Sequence, residues 1–237
     1  MKILIIRHGD PDYSIDSLTE RGKIEAKALN EYLKTVGITH AYRSPLGRAK
    51  LTAEMGLDGI NVPLETCDWL REFEGTIKTE EGERHAWDLL PAYYAIHPEL
   101  KSDNWISSPQ IVETDFKKKY FMVGGGLDEI LQKHGYKPVN GYLSVENGNK
   151  NVIAFFCHFG VECVMLSHLF GISPYPLWQN FCALPSSVTT IVTEERRKGI
   201  ASLRLLGFGE TAHLYKKDIT PSFAARFREN AEDNDRM

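Results

Sequence analysis

The first nine residues limit what this chain can fold into more than any other stretch. Lys2-Ile-Leu-Ile-Ile6 fits a buried strand, and Arg7-His8-Gly9 ends it abruptly. In an open parallel sheet, ligands bind in the crevice outside the carboxyl ends of the strands. Gly9 lets the backbone turn sharply there or approach a ligand closely. Taken alone, an arginine and a histidine after a strand suit a solvated loop as well as a site.

A second stretch repeats the pattern. Asn151-Val-Ile-Ala-Phe-Phe-Cys157 is apolar and ends in His158-Phe159-Gly160, so two strands each deliver a histidine to a loop. Between them, Ser44-Pro45-Leu46-Gly47-Arg48-Ala49 places an arginine at the start of a helical pattern, where a cation opposes the helix dipole unless an anion is bound. Periodicity predicts strands at Lys2–Ile6, His40–Arg43, Val62–Glu65, near Trp69, Ser187–Thr193 and Ser202–Phe208. It predicts helices over Thr19–Val36 and Val161–Leu169, the first capped by Thr19 with Ile24, Ala28, Leu29 and Leu33 on its apolar face. The alternation implies an α/β fold, a three-layer α/β/α sandwich with a mostly parallel central sheet.

Residues 76–150 stand outside this alternation. They carry Trp87, Tyr93, Tyr94, Trp105, Phe116, Tyr120 and Phe121, and Pro91, Pro98 and Pro109 break them into short helices. These aromatics suit either a satellite core or the lining of a ligand pocket. Asn147-Gly148 reads as a hairpin turn, Gly124-Gly-Gly126 as a helix break or hinge, and the residues from about Pro221 as a helix fragment and frayed tail.

A chain of 237 residues, 42% of them hydrophobic, suffices for a single domain over residues 1–237 with one insertion. The net charge of −4 argues against nucleic acid as a partner. Cys67, Cys157, Cys163 and Cys182 form no CxxC pair and no disulfide framework. The apolar runs are too short for a signal-peptide core or a membrane span, so a cytoplasmic enzyme is expected. A metal site of His8, His158 and Cys157 lacks familiar zinc spacing, and Arg7 would repel the cation; no metal and no cofactor are expected.

Arg7-His8-Gly9, Leu18-Thr-Glu-Arg-Gly22-Lys-Ile-Glu-Ala26, the Ser44–Ala49 segment, Leu70-Arg71-Glu72, His158-Phe-Gly160 and Gly209-Glu-Thr-Ala-His213 occur in the order found in the histidine phosphatase superfamily, also called phosphoglycerate mutase-like, which this chain resembles. The resemblance implies a histidine acid-type phosphatase, a phosphoric monoester hydrolase working through a phosphohistidine on His8. Arg7 and Arg48 would clamp the phosphate, since guanidinium groups pair with its oxygens. His158 would stabilise charge on the phosphoryl oxygens, and Glu72 would serve as proton donor and then base. Gly9, Ser14 and the Phe159 amide complete the expected phosphate site. The 76–150 insertion would be a largely helical cap that sets the substrate, with Trp87, Tyr94 and Trp105 as contacts. The implied partner is a small phosphorylated metabolite, and a homodimer remains open.

The chain also departs from the family pattern. Ser14 stands near the usual place of an asparagine in the mutase branch, which favours a hydrolase over a phosphoglycerate mutase-type isomerase; a degenerate, phospho-ligand-binding member is the other alternative. Phe159 replaces a common glycine. Glu25 replaces a glutamine and is expected to face solvent. Glu74, Glu80 and Glu81 rival Glu72 as acid, and His213 is the one other histidine expected to approach the pocket.

Overall fold

A computed structural model describes residues 1–139, 141–224 and 230–232. Eight strands form the central sheet: β1 (Lys2–Arg7), β2 (His40–Arg43), β3 (Leu64–Thr66), β4 (Tyr136–Val139), β5 (Tyr142–Val145), β6 (Val152–Cys157), β7 (Val188–Arg197) and β8 (Ile200–Glu210). Their order is β3-β2-β6-β1-β7-β8-β5-β4. Helices α1 (Glu20–Val36) and α2 (Gly47–Gly56) cover one face, and α3 (Phe116–Lys133) and α4 (Phe159–Phe170) cover the other. Strand β1 shows why two covered faces are needed. Ile3 and Ile5 enter the core under α3 and α4, while Leu4 and Ile6 enter the core under α1 and α2.

The sheet is mixed rather than mostly parallel. Strands β3, β2, β6 and β1 run parallel, but β7, β8, β5 and β4 join antiparallel to their neighbours. The reason is local, because β7 and β8 are joined by a short turn through Gly199 at φ 89°. A turn that short makes a hairpin, whereas a parallel connection needs a crossover of a dozen residues or more. The anticipated Asn147-Gly148 hairpin does not form: β5 pairs with β4 and β8, and β6 pairs with β1 and β2. The tight turn lies earlier, between Val139 and Tyr142, with Gly141 at φ 88°. The stretch around Trp69 is a 3-10 turn, Asp68–Leu70, not a strand.

Helix α1 begins as its cap predicts, with Thr19 Oγ1 accepting from Gly22 N at 3.0 Å. Ala28, Leu29 and Leu33 are buried as expected, but Ile24 is 52% exposed and Glu25 takes a buried place instead. Glu25 Oε2 accepts from Asp10 N and Oε1 from Ser222 N, at 2.9 and 3.0 Å, so the carboxylate ties the loop after His8 to residues beyond Pro221. Burial, the largest influence, lifts its pKa to about 7 against the pull of those two N–H groups. Most of the expected tail helix lies outside the described residues.

Residues 76–112 add a hairpin (Thr76–Thr79, Gly82–His85) followed by helical turns that lie outside the central sheet but share the core under α3 and α4, whereas β4 and β5 join the sheet. Tyr94 and Trp105 are buried among Phe116, Tyr120, Tyr175 and Trp178, which gives both to an aromatic core. Trp87 lies nearer the surface, stacked on His85, with its indole N–H donating to the Phe73 carbonyl.

The Gly124–Gly126 run sits inside α3 and neither breaks nor hinges it. A Cβ on Gly124 would lie 2.7 Å from the His168 ring, and one on Gly126 would lie 2.4 Å from the Trp69 indole. Close packing explains both glycines; a Cβ on Gly125 meets nothing within 4 Å. Gly125→Ala should therefore stabilise the fold by about 1 kcal/mol, the usual helix-interior difference. Gly126→Ala should destabilise it by about 1–3 kcal/mol through overpacking. Urea midpoints measure both, and stabilisation by both would restore the hinge.

Candidate active site

The site is assembled by strand register. Strands β1 and β6 are parallel neighbours with Arg7 opposite Cys157, and His8 N donates to the Cys157 carbonyl at 3.0 Å. His8 and His158 therefore leave the sheet side by side, with ring centroids 5.1 Å apart. The next parallel strand, β2, continues the edge, and Ser44 N donates to the Phe156 carbonyl at 2.9 Å. The segment after Ser44 then opens α2 and brings in Arg48. Three strand ends thus supply Arg7, His8, Ser44, Arg48 and His158 to one crevice.

Neighbours fix both imidazoles. His8 Nδ1 lies 2.8 Å from the Gly9 carbonyl, which can only accept, so Nδ1 carries the proton and Nε2 keeps its lone pair. His158 Nε2 lies 2.8 Å from Ser44 Oγ, and that hydroxyl accepts from Leu46 N. A Ser44 proton directed at Nε2 satisfies both groups and leaves His158 Nδ1–H, buried and without a partner among the described residues, as a donor. Both rings are held well below the ordinary histidine pKa. For His8 the cause is burial, then the charges of Arg7 and Arg48; for His158 it is burial, then His8, Arg48, Arg7 and Arg71. The pair is a neutral ring with a free Nε2 lone pair beside a neutral ring with a free Nδ1–H.

Both guanidiniums keep free capacity. Arg7 Nη1 donates to the Ala183 carbonyl at 2.7 Å and Arg48 Nη1 to Asp16 Oδ1 at 2.6 Å, while Nε of each is buried without a partner among the described residues. The Arg7 guanidinium lies 5.9 Å from the centre of the Phe159 ring. Phe159 opens α4, where N–H groups lack intrahelical acceptors. Glu72 reaches the same helix start: Oε1 accepts from Phe73 N at 2.8 Å and Val161 N at 3.1 Å. Glu74 is exposed, and its carbonyl takes the Lys119 ammonium.

Other expected residues do not meet there. Ser14 is exposed and bonded through both N and Oγ to Asp12. Gly9 supports rather than binds, because its N–H donates to Thr52 Oγ1 and its carbonyl holds His8. A Cβ there would strike the Gly22 carbonyl oxygen at 2.8 Å. His213 packs on Tyr32 of α1, and burial lowers its pKa to about 4.

Asp16, absent from the expected set, is central. It accepts from Arg48 and, through Oδ2, from Gly47 N at 2.6 Å, fixing arginine and helix start together. Burial opposes its ionisation, but Gly47 and Arg48 outweigh it and hold the carboxyl below its ordinary range. Its φ of 48° is a conformation that Asp tolerates better than most residues, the one sequence signal that marks it.

With this geometry in place, the comparisons are specific. The family model for the histidine phosphatase superfamily (branch 1) matches residues 3–107. Over that stretch the chain is similar to the histidine phosphatase superfamily. It is 25% identical over 232 residues to phosphoserine phosphatase 1 of Hydrogenobacter thermophilus, covering 90% of this chain and 94% of the other. Its fold matches a phosphoserine phosphatase mutant from Entamoeba histolytica in complex with phosphoserine, at TM-score 0.60 and 17% identity over 90% of this chain and 98% of that one. It also matches a mycobacterial glucosyl-3-phosphoglycerate phosphatase complexed with VO3, at TM-score 0.57 and 18% identity over 87% and 98%.

The hydrogen bonds fix an observable tautomer pair. Nitrogen-detected NMR of the imidazoles at pH 6 should show His8 and His158 neutral, both protonated on Nδ1. A charged His8 at that pH, or an Nε2–H form, would remove the free Nε2 lone pair described above.

Proposed function

We propose that this protein is a metal-independent phosphomonoesterase that hydrolyses the ester of a small phosphorylated metabolite through a phosphohistidine. The observation that carries the reading is the His8 ring, pinned through Nδ1 with a neutral Nε2 between two arginines. Arg7 and Arg48 hold the phosphoryl oxygens, and His158 Nδ1–H donates to one of them. His8 Nε2 attacks phosphorus, forming the N–P bond as the ester P–O bond breaks. Glu72 acts as general acid, giving a proton to the departing alkoxide. A water molecule then attacks phosphorus, Glu72 takes its proton, and the N–P bond breaks to release phosphate. The arginines and Nδ1–H supply the charge stabilisation that a metal provides elsewhere.

The relatives direct the substrate search towards phosphoserine and phosphoglycerate esters. We place residues 76–112 as the substrate-setting cap, since Trp87 rests on Phe73 beside Glu72. The reading sets the enzyme in the cytoplasm, as Cys67, Cys157 and Cys163 are thiols, and no helix among the described residues is long and apolar enough to cross a membrane.

Rapid quench with labelled phosphoserine, chelator present, should place acid-labile label on His8, and His8→Ala should abolish turnover. Label on no histidine overturns the mechanism. Glu72→Gln should slow alkyl phosphates by roughly 10²–10⁴-fold and an activated aryl phosphate far less. Glu74→Gln should leave both unchanged; the reverse pattern moves the acid two residues.

A further inference from the structure

Glu162 lies behind the phosphate clamp and has no part in the steps above. It sits one turn into α4, its N–H donating to the His158 carbonyl, and its carboxyl is buried. One oxygen, Oε1, accepts from Thr189 Oγ1 on β7, which in turn accepts from Gly209 N. The other, Oε2, is buried with no partner among the described residues. An unpaired buried carboxylate is costly, so the site favours the protonated acid. The groups facing it are few. Among the described residues, Arg7 at the end of β1 is the cation that favours its ionisation; the carboxyl of Glu72, Cys157 on β6 and Cys163 on its own helix complete the surroundings. Burial raises both thiols well above their ordinary range, so they stay neutral.

Arg7 and Glu162 thus form an unequal pair. The Arg7 guanidinium has a buried, unpartnered Nε, and no hydrogen bond joins it to Glu162. We propose that Glu162 is a positioning residue acting through Arg7: ionised, it draws on the field that Arg7 offers a phosphoryl dianion, and protonated, it leaves that field to the ligand. Anion binding and protonation of Glu162 are then linked, each strengthening the other. Burial, the dominant influence, puts the carboxyl at about 7, with the Thr189 hydroxyl and Arg7 pulling it down. The linkage therefore operates near neutral pH, where both site imidazoles are neutral.

The inference rests on the phosphate-site reading, and sulfate separates the two because it remains a dianion throughout the range used. Calorimetric titration with sulfate between about pH 6 and pH 9 should show wild-type affinity falling roughly tenfold as Glu162 ionises, the scale of one charge several ångströms away in a protein interior. Glu162→Gln, which keeps an acceptor for Thr189 but carries no charge, should bind sulfate with the same affinity across the range. Thr189→Val removes a donor that favours the ionised form, so the fall should move to higher pH. Should Glu162→Gln fail to fold, the Thr189→Val shift alone decides. Superposable curves for wild type and both variants overturn the role of Glu162 and leave the phosphate site standing, provided Arg48→Ala weakens sulfate. Absence of sulfate binding to wild type at every pH overturns both.

Discussion

The parallel pairing of β1 with β6 is the interaction on which the site depends. Its register sets Arg7 opposite Cys157, so the two histidines that follow emerge at one height on neighbouring strands, one sheet spacing of roughly 5 Å apart. A slip of one residue would turn every side chain of β1 to the opposite core and part the rings. Two apolar cores oppose that slip, since Ile3 and Ile5 fill one and Leu4 and Ile6 the other. Catalytic geometry is thus held by strand packing, and the loops that carry the histidines inherit it.

Charge then does the rest of the positioning. Two arginines beside two buried imidazoles would be an unstable cluster if the rings were protonated, and burial with cation repulsion keeps them neutral. Asp16 pairs with Arg48, and the charge of Arg7 favours ionisation of the buried Glu162. The two carboxylates differ in kind. Asp16 is half exposed, doubly hydrogen-bonded and held in the ionised form, whereas Glu162 is buried with one oxygen unpaired. Arg48 therefore has a permanent partner and Arg7 a conditional one.

Much of this was legible in the sequence, and the remainder was not, for physical reasons. The apolar runs ending in Arg7-His8 and Cys157-His158 announced their strands because both faces are buried, and Thr19 announced α1 through its side-chain cap. Glu25 was illegible, because periodicity assigns a carboxylate to solvent, and only the N–H groups of Asp10 and Ser222, distant in sequence, give it reason to be inside. Asp16 was hidden likewise, since its partners lie 31 and 32 residues away. In Gly124–Gly126, composition suggested a break where tertiary contact with His168 and Trp69 demands small residues. Parallel order was over-read from the first half of the chain, since helical alternation ends at α4.

The antiparallel half of the sheet has a consequence for the clamp that a fully parallel sheet would lack. Because β7 runs opposite to β1, its first residues lie at the edge where β1 and β6 end, and the segment leading into it passes directly by the site. Arg7 N donates to the Ser187 carbonyl, Ser186 N donates to the His8 carbonyl, and the Ala183 carbonyl accepts from the Arg7 guanidinium. Ser186 makes this approach at φ 57°, an uncommon conformation for serine. A parallel strand in that place would begin at the far edge and leave the Arg7 guanidinium and the His8 carbonyl without these partners. The same direction of travel brings Thr189 to Glu162, so the strand that breaks the parallel order holds the Glu162 carboxyl while the segment leading into it holds the Arg7 guanidinium.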